Sequence, residues 1–312
     1  MKQRTLLLLT LALCTQLAFA SRETNNLSNL VDTINLSKDT TNISPRWVIG
    51  GKENILFTQA AFSNWQGGGE AYMGGLGNFS IFATRISKAS TWQNKIEIEY
   101  GSNYQKSLDR PVKTADQIDI ITDFQKNINK KWSLRTTLNF KTQFSPGYKD
   151  EKDTIKRSDF MAPGYILNNN GISYQPIKGF SIQASPLSSK ITIVNSQFLA
   201  DKGEYGVKAA VKDANGNIIE HGKNIKYQFG GNIKVVYTTV IMKNIELFSE
   251  LNLFSNYLEE AKNVDVDWKT KIDFKFNKYF STTVIAHLIY DDNIAPITQF
   301  KEVLGVGFNY SF

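Results

Sequence analysis

Residues 264–276 read Val-Asp-Val-Asp-Trp-Lys-Thr-Lys-Ile-Asp-Phe-Lys-Phe. The even positions, Val264, Val266, Trp268, Thr270, Ile272, Phe274 and Phe276, are apolar apart from one threonine. The odd positions, Asp265, Asp267, Lys269, Lys271, Asp273 and Lys275, are all charged. A helix would scatter the two classes around its circumference, whereas a strand puts each on its own face. The run holds 13 residues. Strands of soluble proteins usually hold about five or six, and a strand that crosses a bilayer needs roughly 9–11. Length and alternation together predict a strand with lipid on one side and a polar interior on the other.

The same period recurs along the chain. Trp132, Leu134, Thr136, Leu138, Phe140, Thr142 and Phe144 alternate with Ser133, Arg135, Thr137, Asn139, Lys141 and Gln143. Ile245, Leu247, Leu251, Leu253 and Tyr257 alternate with Glu246, Glu250, Asn252 and Asn256, and the chain ends on Leu304, Val306, Phe308, Tyr310 and Phe312 at every second position. The pattern predicts twelve strands: 54–64, 71–87, 91–106, 114–127, 131–144, 161–175, 179–187, 224–241, 244–258, 264–277, 279–291 and 299–312, the seventh with an end that could extend to 195. Connections alternate between short turns and longer loops, as they do in barrels that span outer membranes. The expected fold is all-β, a transmembrane up-and-down antiparallel barrel of about twelve strands. Closure follows from backbone satisfaction, because an open edge in hydrocarbon strands N–H and C=O groups at several kcal/mol each.

The first residues predict export. Met1-Lys2-Gln3-Arg4 is basic, Thr5–Leu13 is almost wholly apolar, and Ala18-Phe19-Ala20 is a small-x-small ending, the three parts of a signal peptide. Cys14 is the single cysteine, and Leu13 before it is a poor fit to a lipobox. Cleavage after Ala20 leaves no thiol chemistry. The expected organisation is a signal peptide at 1–20, a polar periplasmic segment at 21–46 and the barrel at 47–312, in a Gram-negative outer membrane. Removing Lys2 and Arg4 lowers the formal charge from +7 to +5, spread along the chain without a basic stripe, so nucleic acid is not an expected partner. The expected partners are outer-membrane lipid and lipopolysaccharide, periplasmic chaperones and the outer-membrane assembly machinery, with Phe308, Tyr310 and Phe312 as its recognition signal.

Parity assigns roles. Arg135, Lys141, Glu246, Glu250, Lys269, Lys271, Asp273, Lys275 and His287 are expected to face the lumen in a salt-bridged wall. Trp92, Trp132 and Phe280 fall beside short turns, and Phe144, Tyr257 and Tyr290 beside long loops, as two interfacial aromatic girdles would. No metal or cofactor site is expected: His221 and His287 lack ligand spacing, and Gly67-Gly68-Gly69 lacks the residues of a phosphate loop. Asp213-Ala214-Asn215-Gly216-Asn217 matches a calcium loop only in part and reads better as a turn. A lumenal polar role for His287 outweighs a catalytic one, since no nucleophile motif accompanies it.

The sequence also resembles the domain-of-unknown-function 3078 family of bacterial outer-membrane proteins. The matching pieces are Phe62-Ser63-Asn64-Trp65 with Gly67-Gly68-Gly69-Glu70, the stretch from Asn139 to Tyr148, Leu253–Leu258, Ile289–Asp292 and Gln299–Gly307. The resemblance implies an outer-membrane location and brings no known activity or catalytic residues. Three classes of function follow as expectations: a channel or transporter for small polar solutes, porin-like in build; an outer-membrane enzyme acting on lipid or glycan, the less favoured; and a surface-interaction barrel using its long loops. The step from barrel to transport rests on analogy of fold.

Overall fold

The computed structural model describes residues 44–60, 72–105, 110–148, 155–259, 261–277, 279–291 and 295–311. The expected signal peptide, Cys14, nearly all of the 21–46 segment, the Gly67–Gly69 loop, Asp292 and Phe312 lie outside them. Twelve antiparallel strands close into one barrel: β1 Arg46–Ala60, β2 Tyr72–Ile86, β3 Ser90–Gln105, β4 Val112–Asn127, β5 Trp132–Thr142, β6 Gly164–Ile177, β7 Phe180–Ile193, β8 Ile225–Met242, β9 Ile245–Asn256, β10 Val264–Lys275, β11 Phe280–Asp291 and β12 Ala295–Ser311. Each pairs with its sequence neighbours, and β1 pairs with β12. The strands run from 11 residues in β5 to 18 in β8.

The expected strand count holds, most boundaries shift by one to three residues, and three differences are informative. β1 begins at Arg46, eight residues before the expected Asn54, because Trp47, Ile49 and the glycines at 50 and 51 pair along β2 although their polarity does not alternate cleanly. β7 continues to Ile193 through a bulge. The last connection, expected over 292–298, shrinks to 292–294 because β12 starts at Ala295.

Closure is uneven. Fifteen registered pairs join β1 to β2, and six join β1 to β12, from Lys52↔Ser311 to Phe57↔Val306. At this seam Leu56 is 2% exposed, on the inner face. Gly307 makes room for it: a Cβ there would lie 2.4 Å from Leu56 Cδ2 and 2.7 Å from the Ile55 carbonyl oxygen.

The outer face is apolar. Phe57, Ile96, Ile120, Leu138, Leu304 and Val306 are all exposed, Leu304 to 60%. Polar residues are buried instead, among them Asp119, Asp123, Gln183, Asp273 and Thr283. Soluble proteins show the reverse arrangement.

The two longest described connections form a cap at the end opposite the short turns. Residues 143–163 carry a small ribbon pairing Gly147–Tyr148 with Lys156–Ser158. Residues 194–224 carry α1 (Gln197–Asp201), a 3-10 turn and a second ribbon, Val211–Lys212 with Ile218–Glu220. Ala162, Val194, Leu199, Ala200 and Val207 form a small dry core that joins the two, with Tyr205 packed against it. Tyr205 Oη donates to the Arg157 carbonyl at 2.5 Å, and burial, followed by the neighbouring Glu204 charge, pushes its hydroxyl up to about 12. Asp201 accepts from Gln197 Nε2 at 2.7 Å and from the Gly222 amide at 2.8 Å, and lies 3.0 Å from His221 Nδ1. These bonds, the one from Gln197 first, hold its carboxyl below the usual value. Asp213 binds the amides of Asn215 and Asn217 in its own turn, and Gly216 sits at φ +86°. Its carboxylate oxygens are thus engaged by the turn itself, as the turn reading expects.

Candidate functional site

The interior of the cylinder is the candidate site. Alternation fixes which residues enter it, and the ladders carry that parity from strand to strand. Lys269 lies opposite His287 and Glu250, and His287 lies opposite Lys301, so one ring of the wall is charged across four strands.

Each residue expected on the inner face has an ionic partner. Arg135 Nε donates to both oxygens of Asp123, at 3.0 and 2.7 Å, and Thr137 Oγ1 adds a third bond at 2.6 Å. Lys141 Nζ lies 4.0 Å from Asp119. Lys275 pairs with Glu246, and Lys234 pairs with Glu250 at 3.0 Å. Lys271 meets Asp273 at 3.1 Å, where Thr283 Oγ1 also donates at 2.6 Å. His287 Nε2 is 2.7 Å from Asp267 Oδ1. Among the described residues no serine or cysteine is bonded to that imidazole.

Two further clusters join strands that are not neighbours. Glu99 on β3 lies 3.9 Å from Lys269 on β10 and 3.9 Å from Lys301 on β12. Lys190 on β7 reaches Asp265 on β10 at 3.2 Å and Asp291 on β11 at 2.9 Å. Such pairs can form only through the lumen, so side chains from opposing walls clasp across it at two places. Sequence reasoning missed Lys190, because the bulge in β7 shifts the inner face from Ser181, Gln183 and Ser185 to Ser188, Lys190 and Thr192. A register break of this kind inverts the pattern that a period-two search follows. Asp291, at the end of β11, accepts from Lys190.

The expected girdle residues lie on the opposite parity. Trp92, Trp132, Phe144, Tyr257 and Phe280 are all exposed, and Tyr290, which pairs with Val266, is partly so. Trp92 Nε1 donates to Thr122 Oγ1 at 2.9 Å, Trp132 packs on Tyr174 with centroids 4.4 Å apart, and Phe280 meets Phe308 edge-on at 5.9 Å. Phe308 and Tyr310 alternate with Gly307 and Asn309 on β12, opposite Ile55 and Glu53. Among the described residues no group of three or more His, Cys, Asp and Glu side chains is placed to hold a metal ion.

No curated protein matches the chain. It aligns with the translocator domain of the autotransporter NalP from Neisseria meningitidis at 10% identity and a TM-score of 0.38, over 92% of this chain and 95% of that one. An outer membrane channel from Pseudomonas putida F1 aligns at 8% identity and a TM-score of 0.40, over 84% and 93%. OprB of Pseudomonas putida aligns at 9% and 0.32, over 91% and 96%. Residues 57–148, from the second half of β1 to the first ribbon of the cap, match the family model described as a protein of unknown function, DUF3078.

Proposed function

We propose that this chain is an outer-membrane β-barrel whose ion-paired interior passes small polar solutes. One observation carries the reading: the wall is closed, apolar outside and charged inside. A closed ring satisfies every strand edge, the condition for a sheet in hydrocarbon. Exposed Phe57, Leu138 and Leu304 suit acyl chains, and an interior of carboxylates and ammonium groups suits water and ions. The short turns and both strand termini then face the periplasm, and the cap faces outward. Cleavage after Ala20 would deliver the chain, and the alternating aromatics at Phe308, Tyr310 and Phe312 would present it to the assembly machinery. N-terminal sequencing of the membrane-inserted form should begin at Ser21.

Transport is supported by what crosses the lumen among the described residues. Its clasps are side-chain ion pairs, Glu99 with Lys269 and Lys301, and Lys190 with Asp265 and Asp291. Side chains rearrange far faster than a folded plug can leave. The test is single-channel recording in planar bilayers on protein shown to be folded by heat-modifiable migration. Discrete steps are expected, and Glu99→Gln, which leaves two lysines without their shared anion, should shift selectivity toward anions. A folded, inserted barrel with no conductance above the lipid baseline in either form overturns the channel reading.

A further inference from the structure

We propose that the outer wall at β1–β4 binds an anionic glycerophospholipid of the periplasmic leaflet, its phosphate on Arg85 and one acyl chain in the groove beside it. The inference rests on the membrane placement above and adds a specific lipid to it.

The first observation is a cross-strand row. The ladders place Trp47, Arg85 and Trp92 side by side on β1, β2 and β3, on the outer parity at the short-turn end. The two indoles approach to 5.8 Å across β2. Arg85 is exposed, and among the described residues it has no ion-pair partner. That sets it apart from Arg135, Lys141, Lys190 and Lys275 of the inner wall, which are matched to carboxylates. A guanidinium forks onto phosphate through two parallel hydrogen bonds, and indoles settle at the headgroup level.

The second observation is apolar. Beyond this row, toward the middle of the wall, a groove of about 370 Å³ runs over β1 to β5, lined by Ile49, Ile81, Ala83, Ile96, Ile120 and Leu138. Ile49 and Ala83 lie two residues from Trp47 and Arg85, a step of roughly 7 Å along a strand. A headgroup on Arg85 therefore starts its chain at the mouth of the groove.

The third is charge. The short turns hold Lys88, Lys130 with Lys131, Lys178 and Lys243, and among the described turn residues none is Asp or Glu. Lys126 adds an exposed cation next to the first two turns. A basic ring at this level attracts anionic headgroups.

The test uses the full mature chain with Trp65, Trp132 and Trp268 changed to Phe, so that Trp47 and Trp92 report alone. It is reconstituted in phosphatidylcholine vesicles containing a minor fraction of brominated phosphatidylglycerol or, in parallel, brominated phosphatidylcholine. Phosphatidylglycerol is expected to quench more strongly at equal mole fraction. Arg85→Gln should weaken that preference about fivefold, the effect of one cation near a charged leaflet, and high salt should weaken it in the parent. Arg85→Lys should retain part of it. Equal quenching by both lipids overturns the proposal and hands the basic rim to an acidic periplasmic partner. Quenching by neither lipid removes the membrane placement itself.

Discussion

The inner and outer faces of the same twelve strands obey different rules. Outside, Leu251, Val266, Trp268 and Leu304 need only be apolar, and one can stand in for another. Inside, most charges have a named counterpart, often on a strand far away in sequence, such as Glu99 for Lys269 or Lys190 for Asp291. The outer face is specified by composition and the inner face by pairing. A polar interior is tolerable only where its groups are matched, because an unmatched buried charge costs more than a matched pair contributes.

Three experiments press on that difference. The largest effect is expected inside. Lys190→Met removes the cation that Asp265 and Asp291 share, and should destabilise the barrel by about 3–5 kcal/mol, read by denaturant unfolding in liposomes. Leu251→Ile outside should cost less than about 1.5 kcal/mol. If the two variants unfold together, the inner pairs are not specific. Next is the outer face: Leu251→Arg, near the middle of β9, should cost about 2–4 kcal/mol in bilayers, and Asn252→Arg on the inner wall clearly less. Equal losses would mean that the faces do not differ in solvent.

The smallest effect is expected in the cap. Asp201 binds the Gly222 amide, and its carboxyl lies below the ordinary 3.8. A depressed value means that the contact stabilises the cap fully above 3.8 and is lost as pH falls through the lower folded value. Hydrogen exchange at Gly222, corrected for intrinsic rate, should quicken only at that acid limit, with the amides of β9 and β10 unchanged. Protection that fades well above the ordinary carboxylate value would contradict the role given to Asp201.

This contrast also explains what was legible in the sequence. Strand number, length and facing are local properties, and period two displays them wherever one face meets water and the other does not. Residues 264–276 reveal themselves for that reason. β1 hides its first eight residues because Gly50 and Gly51 carry no side chain to alternate. Lys190 stays hidden because the β7 bulge inverts parity between Ser185 and Ser188. The partners of Glu99 and Lys190 depend on the curvature and stagger of the closed wall, which bring β3 to β10 and β7 to β11, and no local pattern encodes that distance. The cap core of Val194, Leu199 and Val207 is invisible for a similar reason: it joins two loops through five buried residues with no period.

Spin labels placed singly at each position from Val264 to Phe276, in protein reconstituted into liposomes, test the central claim most directly. Labels at even positions should collide with oxygen dissolved in the bilayer, and labels at odd positions with a polar nickel chelate, the two alternating residue by residue. Even positions shielded from both reagents would put the apolar face inside a dry protein core and contradict a membrane-embedded cylinder.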